Sequence, residues 1–222
     1  MFIGHFGVGF AAKKAVKKTS LGTLFLASQF VDLLWPILLI LGIEKVEINP
    51  ANTGLTPLNF VYYPFSHSLL AAIIWAFIFG LVYYLIKKDL RSAVWCGLLV
   101  PSHWILDLIV HRPDLPLFPG NNSPMVGLGL WTSVYGTIIV EVGIFLAGVY
   151  FYFKTTKAKN KTGSISLWVL IIFLLLVYFM NIFGPPPDSV DSIEYVGLSQ
   201  FILIAWGYWI DKNRQVTKNL HK

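Results

Sequence analysis

Six stretches of about 20 residues, nearly free of charge, run through this chain at 21–43, 67–86, 92–110, 127–153, 164–183 and 195–210. Each is long enough to cross about 30 Å of hydrocarbon as a helix. Solid apolar runs such as 168–180 lack the alternation of a membrane β-barrel strand. With 56% apolar or aromatic residues and only 13% charged, the chain also departs from the roughly 25% charged usage of soluble domains. The expected fold is an all-α integral membrane bundle of six transmembrane helices.

Charge sets the expected orientation. Lys13, Lys14, Lys17 and Lys18 form one basic block, and Lys87, Lys88 and Arg91 a second. Lys154, Lys157, Lys159 and Lys161 form a third, and Lys212, Arg214, Lys218 and Lys222 a fourth. If the spans alternate, all four blocks fall on one face, with only Lys45 and Arg112 opposite. The positive-inside rule makes that face cytoplasmic and places both chain ends there. The lysines then act as topology and lipid-surface determinants, and no nucleic-acid partner is expected. Residues 1–153 read as a four-helix core with a packed N-terminal segment, and 154–222 as two further spans with a basic tail, all in one compact unit. The apolar start, 1–12, precedes its lysines, the reverse of a secretory signal, and is expected to stay in the mature chain. Its Gly4, Gly7 and Gly9 permit close helix approach. The single cysteine, Cys96, excludes an internal disulfide.

Three acidic residues, Asp32, Asp107 and Glu141, fall within spans, where each costs about 2.5–3.5 kcal/mol on insertion scales. No lysine or arginine accompanies them inside the hydrocarbon. Such carboxylates face the bundle interior and take a partner or a proton. In SHWILDLIVHRPD, His103, Asp107 and His111 follow at i, i+4 and i+8, one stripe on the third span. Neighbours four apart can share an ion; the i to i+8 reach of about 12 Å cannot close on one. Imidazole with carboxylate suits zinc, manganese or iron better than calcium or magnesium. The plain alternative is a polar face lining a water-filled cavity. Asp32 is expected to share a face with Ser28, Gln29 and Pro36, and Glu141 with Ser133 and Thr137, while His67 opens the second span at its outer end. His5 starts on the cytoplasmic side and joins the others only if residues 2–12 dip into the bundle.

These segments, MFIGHFGVGFA, SQFVDLLWP, PFSHSLL, SHWILDLIVHRPDLPL and GLGLWTSVYGTIIVE, resemble the bacterial membrane-bound, metal-dependent hydrolases, LexA-regulated members among them. The resemblance covers roughly residues 1–150 and leaves the last two spans, with NIFGPPPDS, as an extension. The order of His and Asp is similar to that of zinc-dependent phospholipase C enzymes, helical proteins with a zinc cluster. It implies His5, Asp32, His67, His103, Asp107 and His111 as ligands of one or two divalent transition-metal ions, zinc first among them. It also implies a multi-pass place in the bacterial inner (plasma) membrane. Two departures stand. The last histidine follows Asp107 by only four residues, and Glu141 has Thr137, not histidine, four residues before it.

Two functions follow as expectations. The first is a metal-dependent hydrolase of a phosphoester or ester of a membrane lipid or lipid-linked substrate, with Asp32 or Glu141 accepting the proton. The second is a transporter or channel-like protein moving protons or metal ions along the same groups. A structural scaffold accounts for the spans but not for the buried charges. The expected site opens to the extracytoplasmic face.

Overall fold

A computed structural model describes residues 1–120 and 122–217; Lys218, His221 and Lys222 lie outside the described residues. The chain begins with α1 (Ile3–Ala12), followed by α2 (Leu21–Ser28) and α3 (Phe30–Ile40). A hairpin of β1 (Lys45–Ile48) and β2 (Leu58–Tyr62) leads to the single turn α4 (Pro64–His67). The long helices α5 (Leu69–Lys87) and α6 (Leu90–Val110) come next. The two-residue strands β3 (Leu115–Pro116) and β4 (Met125–Val126) and a 3-10 turn at Leu130–Thr132 then lead into α7 (Val134–Thr155). The chain continues through β5 (Thr156–Ala158), α8 (Lys161–Phe183), α9 (Val190–Lys212) and β6 (Arg214–Val216), which pairs antiparallel with β5.

Four helices, α5, α6, α7 and α8, are long and apolar enough to cross a membrane. The pair α2 and α3, bent by 57° between them, makes a fifth candidate. Helix α9 spans 23 residues but carries Asp191 and Glu194 in its first turns and more polar side chains along its length. It packs on the broken pair through small residues: a Cβ at Gly207 would lie 3.0 Å from Gly22, and one at Gly197 would lie 2.9 Å from Pro36.

Two expected boundaries move, each for a local reason. The first stretch breaks at Gln29, whose φ of −103° and ψ of 5° leave the helical region, so Ser28 and Asp32 stand on different helices. The fourth starts at Val134, because Gly129 takes a positive φ of 74° and Ser133 caps the new helix from its side chain. The third ends at Val110, where the sequence placed it: Pro113 disfavours helical backbone just before it and His111 turns out at ψ 142°.

Helix α1 is not a surface segment. Ile3, Phe6 and Phe10 are fully buried and join Phe25, Phe145 and Tyr152 in the largest apolar core. Its glycines allow this: a Cβ at Gly7 would lie 2.7 Å from Phe145 Cα, and one at Gly148 would overlap the Gly7 carbonyl. Close approach through small residues replaces the hydrophobic drive that lipid cannot supply. On the outside, α5 leaves Ile74, Phe77, Leu81, Leu85 and Ile86 exposed, as a lipid-facing helix should.

Candidate metal centre

The helix break, the α1 insertion and the α4 turn meet at one place, and each delivers a polar side chain to it. Helix α6 supplies His103 and Asp107 one turn apart, with His103 Nε2 3.1 Å from Asp107 Oδ2. Helix α3 supplies Asp32 in its first turn, and α4 supplies His67 at its last residue. Asp32 Oδ1 lies 3.4 Å from His67 Nε2 and 3.4 Å from His103 Nε2. His67 Nε2 stands 3.9 Å from Asp107 Oδ2. Helix α1 brings His5 against the other oxygen: its Nε2 is 3.1 Å from Asp107 Oδ1, and its ring stacks on that of His103 at 3.5 Å. The Met1 nitrogen donates to the same Asp107 oxygen at 2.6 Å.

Hydrogen bonds around the rim fix which nitrogens face inward. The Ser28 carbonyl, released from the helix ladder by the break at Gln29, can only accept, so His103 Nδ1–H donates to it at 2.9 Å. In the neutral ring His103 Nε2 then carries the lone pair, and it is buried with no hydrogen-bond partner although two carboxylate oxygens lie close. His67 is set in the same way. The Ser66 hydroxyl donates to Glu44 Oε2 at 2.6 Å, and His67 Nδ1–H donates to that hydroxyl oxygen at 2.7 Å. Glu44 is itself buried and accepts from the Phe65 and Ser66 amides, each at 2.8 Å. Burial pushes its carboxyl up from the ordinary glutamate value, against those hydrogen bonds, which pull it down. A histidine whose outer N–H is tied to a carbonyl or a carboxylate relay presents its other nitrogen in the tautomer a metal requires.

In their neutral tautomers the two imidazoles therefore turn lone pairs toward oxygens of the two carboxylates. Two three-residue groups satisfy ligand spacing, His5 with His103 and Asp107, and Asp32 with His67 and His103. Bonds of about 2.05 Å at tetrahedral angles separate ligand atoms by ~3.3 Å. The two separations of 3.4 Å from Asp32 match that figure, and His103 belongs to both groups. The donor set and its spacing fit a transition-metal ion. Of the four central residues, Asp32 alone has appreciable side-chain exposure, 22%, against 0% for His103 and 2% for Asp107.

Two expected members stand apart. His111, past the end of α6, donates from Nδ1 to Asp114 Oδ1 at 2.9 Å and packs 4.3 Å from the Trp131 ring and 5.0 Å from Phe60. It enters neither ligand group. Glu141, buried on α7, accepts from the Phe2 amide at 2.9 Å and the Gly4 amide at 3.5 Å. It satisfies unpaired donors at the start of α1 and so anchors the helix that carries His5. Glu44 and Ser66, which no sequence motif singled out, hold the second imidazole.

Comparisons with protein-family models, with curated proteins and with solved structures return no match.

Proposed function

We propose that this chain is a membrane-embedded, metal-dependent hydrolase that acts on a phosphoester or ester of a membrane lipid. The observation that carries the reading is the convergence of His67 Nε2, His103 Nε2, Asp32 and Asp107 in one buried cluster at ligand spacing. Two carboxylates and two imidazoles meet there with the Met1 ammonium, on Asp107 Oδ1, as their fixed counter-charge, which leaves the second carboxylate uncompensated in a low-dielectric interior. A divalent ion, zinc by donor type, supplies the missing charge. When bound it supplies Lewis acidity, lowering the pKa of water and polarising the scissile group. The residues do the rest. His67 and His103 are locked by their outer hydrogen bonds, and Asp107 divides its two oxygens between the His5 and His103 sides. Asp32, the exposed member, takes the proton from the attacking water. Glu141 keeps a positioning role through α1.

In this reading the bundle crosses the inner membrane of a bacterium six times, with α9 as the last span and both ends cytoplasmic, as the basic blocks direct. His103 and Asp107 lie in the second half of α6, so the site sits below the extracytoplasmic surface. Beside it, Arg112 Nε donates to Asp114 Oδ2 at 3.0 Å while its side chain stays 39% exposed, in reach of a headgroup. The resemblance to the membrane-bound hydrolases supports the same assignment.

The test is turnover in vesicles. Protein reconstituted into phospholipid should release phosphorylated headgroup or diacylglycerol, lose that activity to a transition-metal chelator and regain it with zinc. A protein that retains no metal but carries protons across the same vesicles would replace this reading with the transport one.

A further inference from the structure

At the opposite end of α7 from Ser133, a cavity of about 240 Å³ opens between the α1–α2 connection, the last turn of α7 and the segment after β6. Lys14, Lys17 and Lys154 line it, with Tyr150 and Phe151 as its wall and Thr217 at its edge. Among the described residues none of the three ammonium groups pairs with a carboxylate. The nearby acid, Asp211, is already taken: Lys13 Nζ donates to it at 2.7 Å and the Tyr152 hydroxyl at 3.0 Å. Lys14 Nζ instead sits 4.6 Å over the Phe151 ring, and Lys154 Nζ 5.6 Å from that of Tyr150.

A helix C-terminus ordinarily draws cations to its bare carbonyls. That accounts for these lysines only in part, because several carbonyls at the end of α7 already have donors. Thr155 Oγ1 donates to the Phe151 carbonyl, Thr156 Oγ1 to that of Tyr152, and the Thr217 amide to that of Thr155. Three like charges therefore gather around a recess with no counter-charge among the described residues. Gathering them costs free energy that an anion would offset.

The surface leading from the recess tells which anion. Tyr135, Ile139, Leu146 and Tyr150 are all more than half or half exposed, at 81%, 73%, 50% and 56%. At 100° per residue they share one face of α7 with Lys154, so an apolar track runs the length of the span and ends at the lysines. A free phosphate would have no use for that track. We infer that the Lys14, Lys17 and Lys154 recess binds the phosphodiester headgroup of an anionic glycerophospholipid, whose acyl chain lies along the Tyr135–Tyr150 face of α7. Basic recesses between membrane helices bind such headgroups, with each lysine near the surface contributing about five-fold in affinity. This site is separate from the metal centre and stands whether or not that centre hydrolyses anything.

Native mass spectrometry and thermal melting of the full chain test it, in nanodiscs of phosphatidylcholine with and without phosphatidylglycerol. The wild-type chain should retain phosphatidylglycerol in preference to phosphatidylcholine and melt higher in its presence. The variant Lys14→Gln, Lys17→Gln, Lys154→Gln should lose that preference by one to two orders of magnitude, roughly five-fold per lysine. Lys87→Gln, Lys88→Gln, Arg91→Gln removes the same charge from another loop and should keep it. Lys17→Gln alone, an exposed position, gives the single-step loss should the triple variant not fold. Equal loss in both triple variants, or no lipid preference in the wild type, overturns the proposal. Inorganic phosphate that matches the lipid's stabilisation at equal concentration overturns the lipid assignment in favour of a free anion.

Discussion

Replacing Ser66 by alanine removes one oxygen atom that no ion touches, yet it should weaken metal binding as much as many ligand changes do. Ser66 Oγ is the link between Glu44 Oε2, at 2.6 Å, and His67 Nδ1, at 2.7 Å. Without it the His67 N–H loses its acceptor, and the ring is free to rotate or to change tautomer. Loss of such an outer partner costs about 10- to 100-fold in metal affinity, or roughly 1.4–2.7 kcal/mol. The fold should survive, since Glu44 keeps the Phe65 and Ser66 amides, with a stability loss of ~1–3 kcal/mol for the missing hydrogen bond. The assay is competition between the detergent-purified protein and a chelator of known zinc affinity. Glu44→Gln should have the smaller effect, because its oxygen can still accept from the amides and Ser66 can still accept from His67. Ser92→Ala removes a comparable buried hydroxyl from the α6 cap at Asp89 and should leave affinity unchanged. Wild-type affinity in Ser66→Ala, or the same loss in Ser92→Ala, would refute the relay.

Three further outcomes follow from the packing. Glu141→Gln, which keeps an acceptor for the Phe2 and Gly4 amides, should cost less than ~1 kcal/mol and leave turnover intact, while Glu141→Ala should lose about 1–3 kcal/mol for each orphaned donor in a melting experiment. Gly148→Ala drives a methyl into the Gly7 carbonyl, so thermal stability should fall by ~1–3 kcal/mol and zinc affinity should fall with it as α1 carries His5 away. In a Cys96→Ser background, an impermeant thiol reagent should label Asn122→Cys and not Lys157→Cys in intact cells; the reverse pattern would invert the topology.

The helical membrane architecture was legible because hydrocarbon accepts little else, and the His103–Asp107 pair because a four-residue step on a helix is a contact. The end of that helix at Val110 was legible too, but the i+8 spacing carried the stripe on to His111, which lies just past it. What no pattern revealed was the break at Gln29. Nothing in SQFVD forbids a straight helix; the break is held by a histidine 75 residues away that takes the Ser28 carbonyl. Glu44 was hidden for a similar reason. In sequence it is one loop acid among several, and only the return of the β1–β2 hairpin brings it beneath α4. Arg214 likewise reads as one charge of a basic tail, whereas β5–β6 pairing buries it with its Nε donating to Thr156 Oγ1 and its Nη1 to the Gly163 carbonyl.

The central claim is that a cation belongs among Asp32, His67, His103 and Asp107, and elemental analysis of the purified protein tests it in one measurement. Wild-type protein, prepared without added metal and freed of loosely bound ions, should carry one or two equivalents of a transition metal, zinc foremost. The Asp32→Asn, Asp107→Asn variant should carry almost none, and Asp32→Asn alone, which leaves the Met1–Asp107 pair in place, should lose most of it. Metal-free wild-type protein that remains metal-free after exposure to zinc, or a double variant with its full complement, would contradict the account.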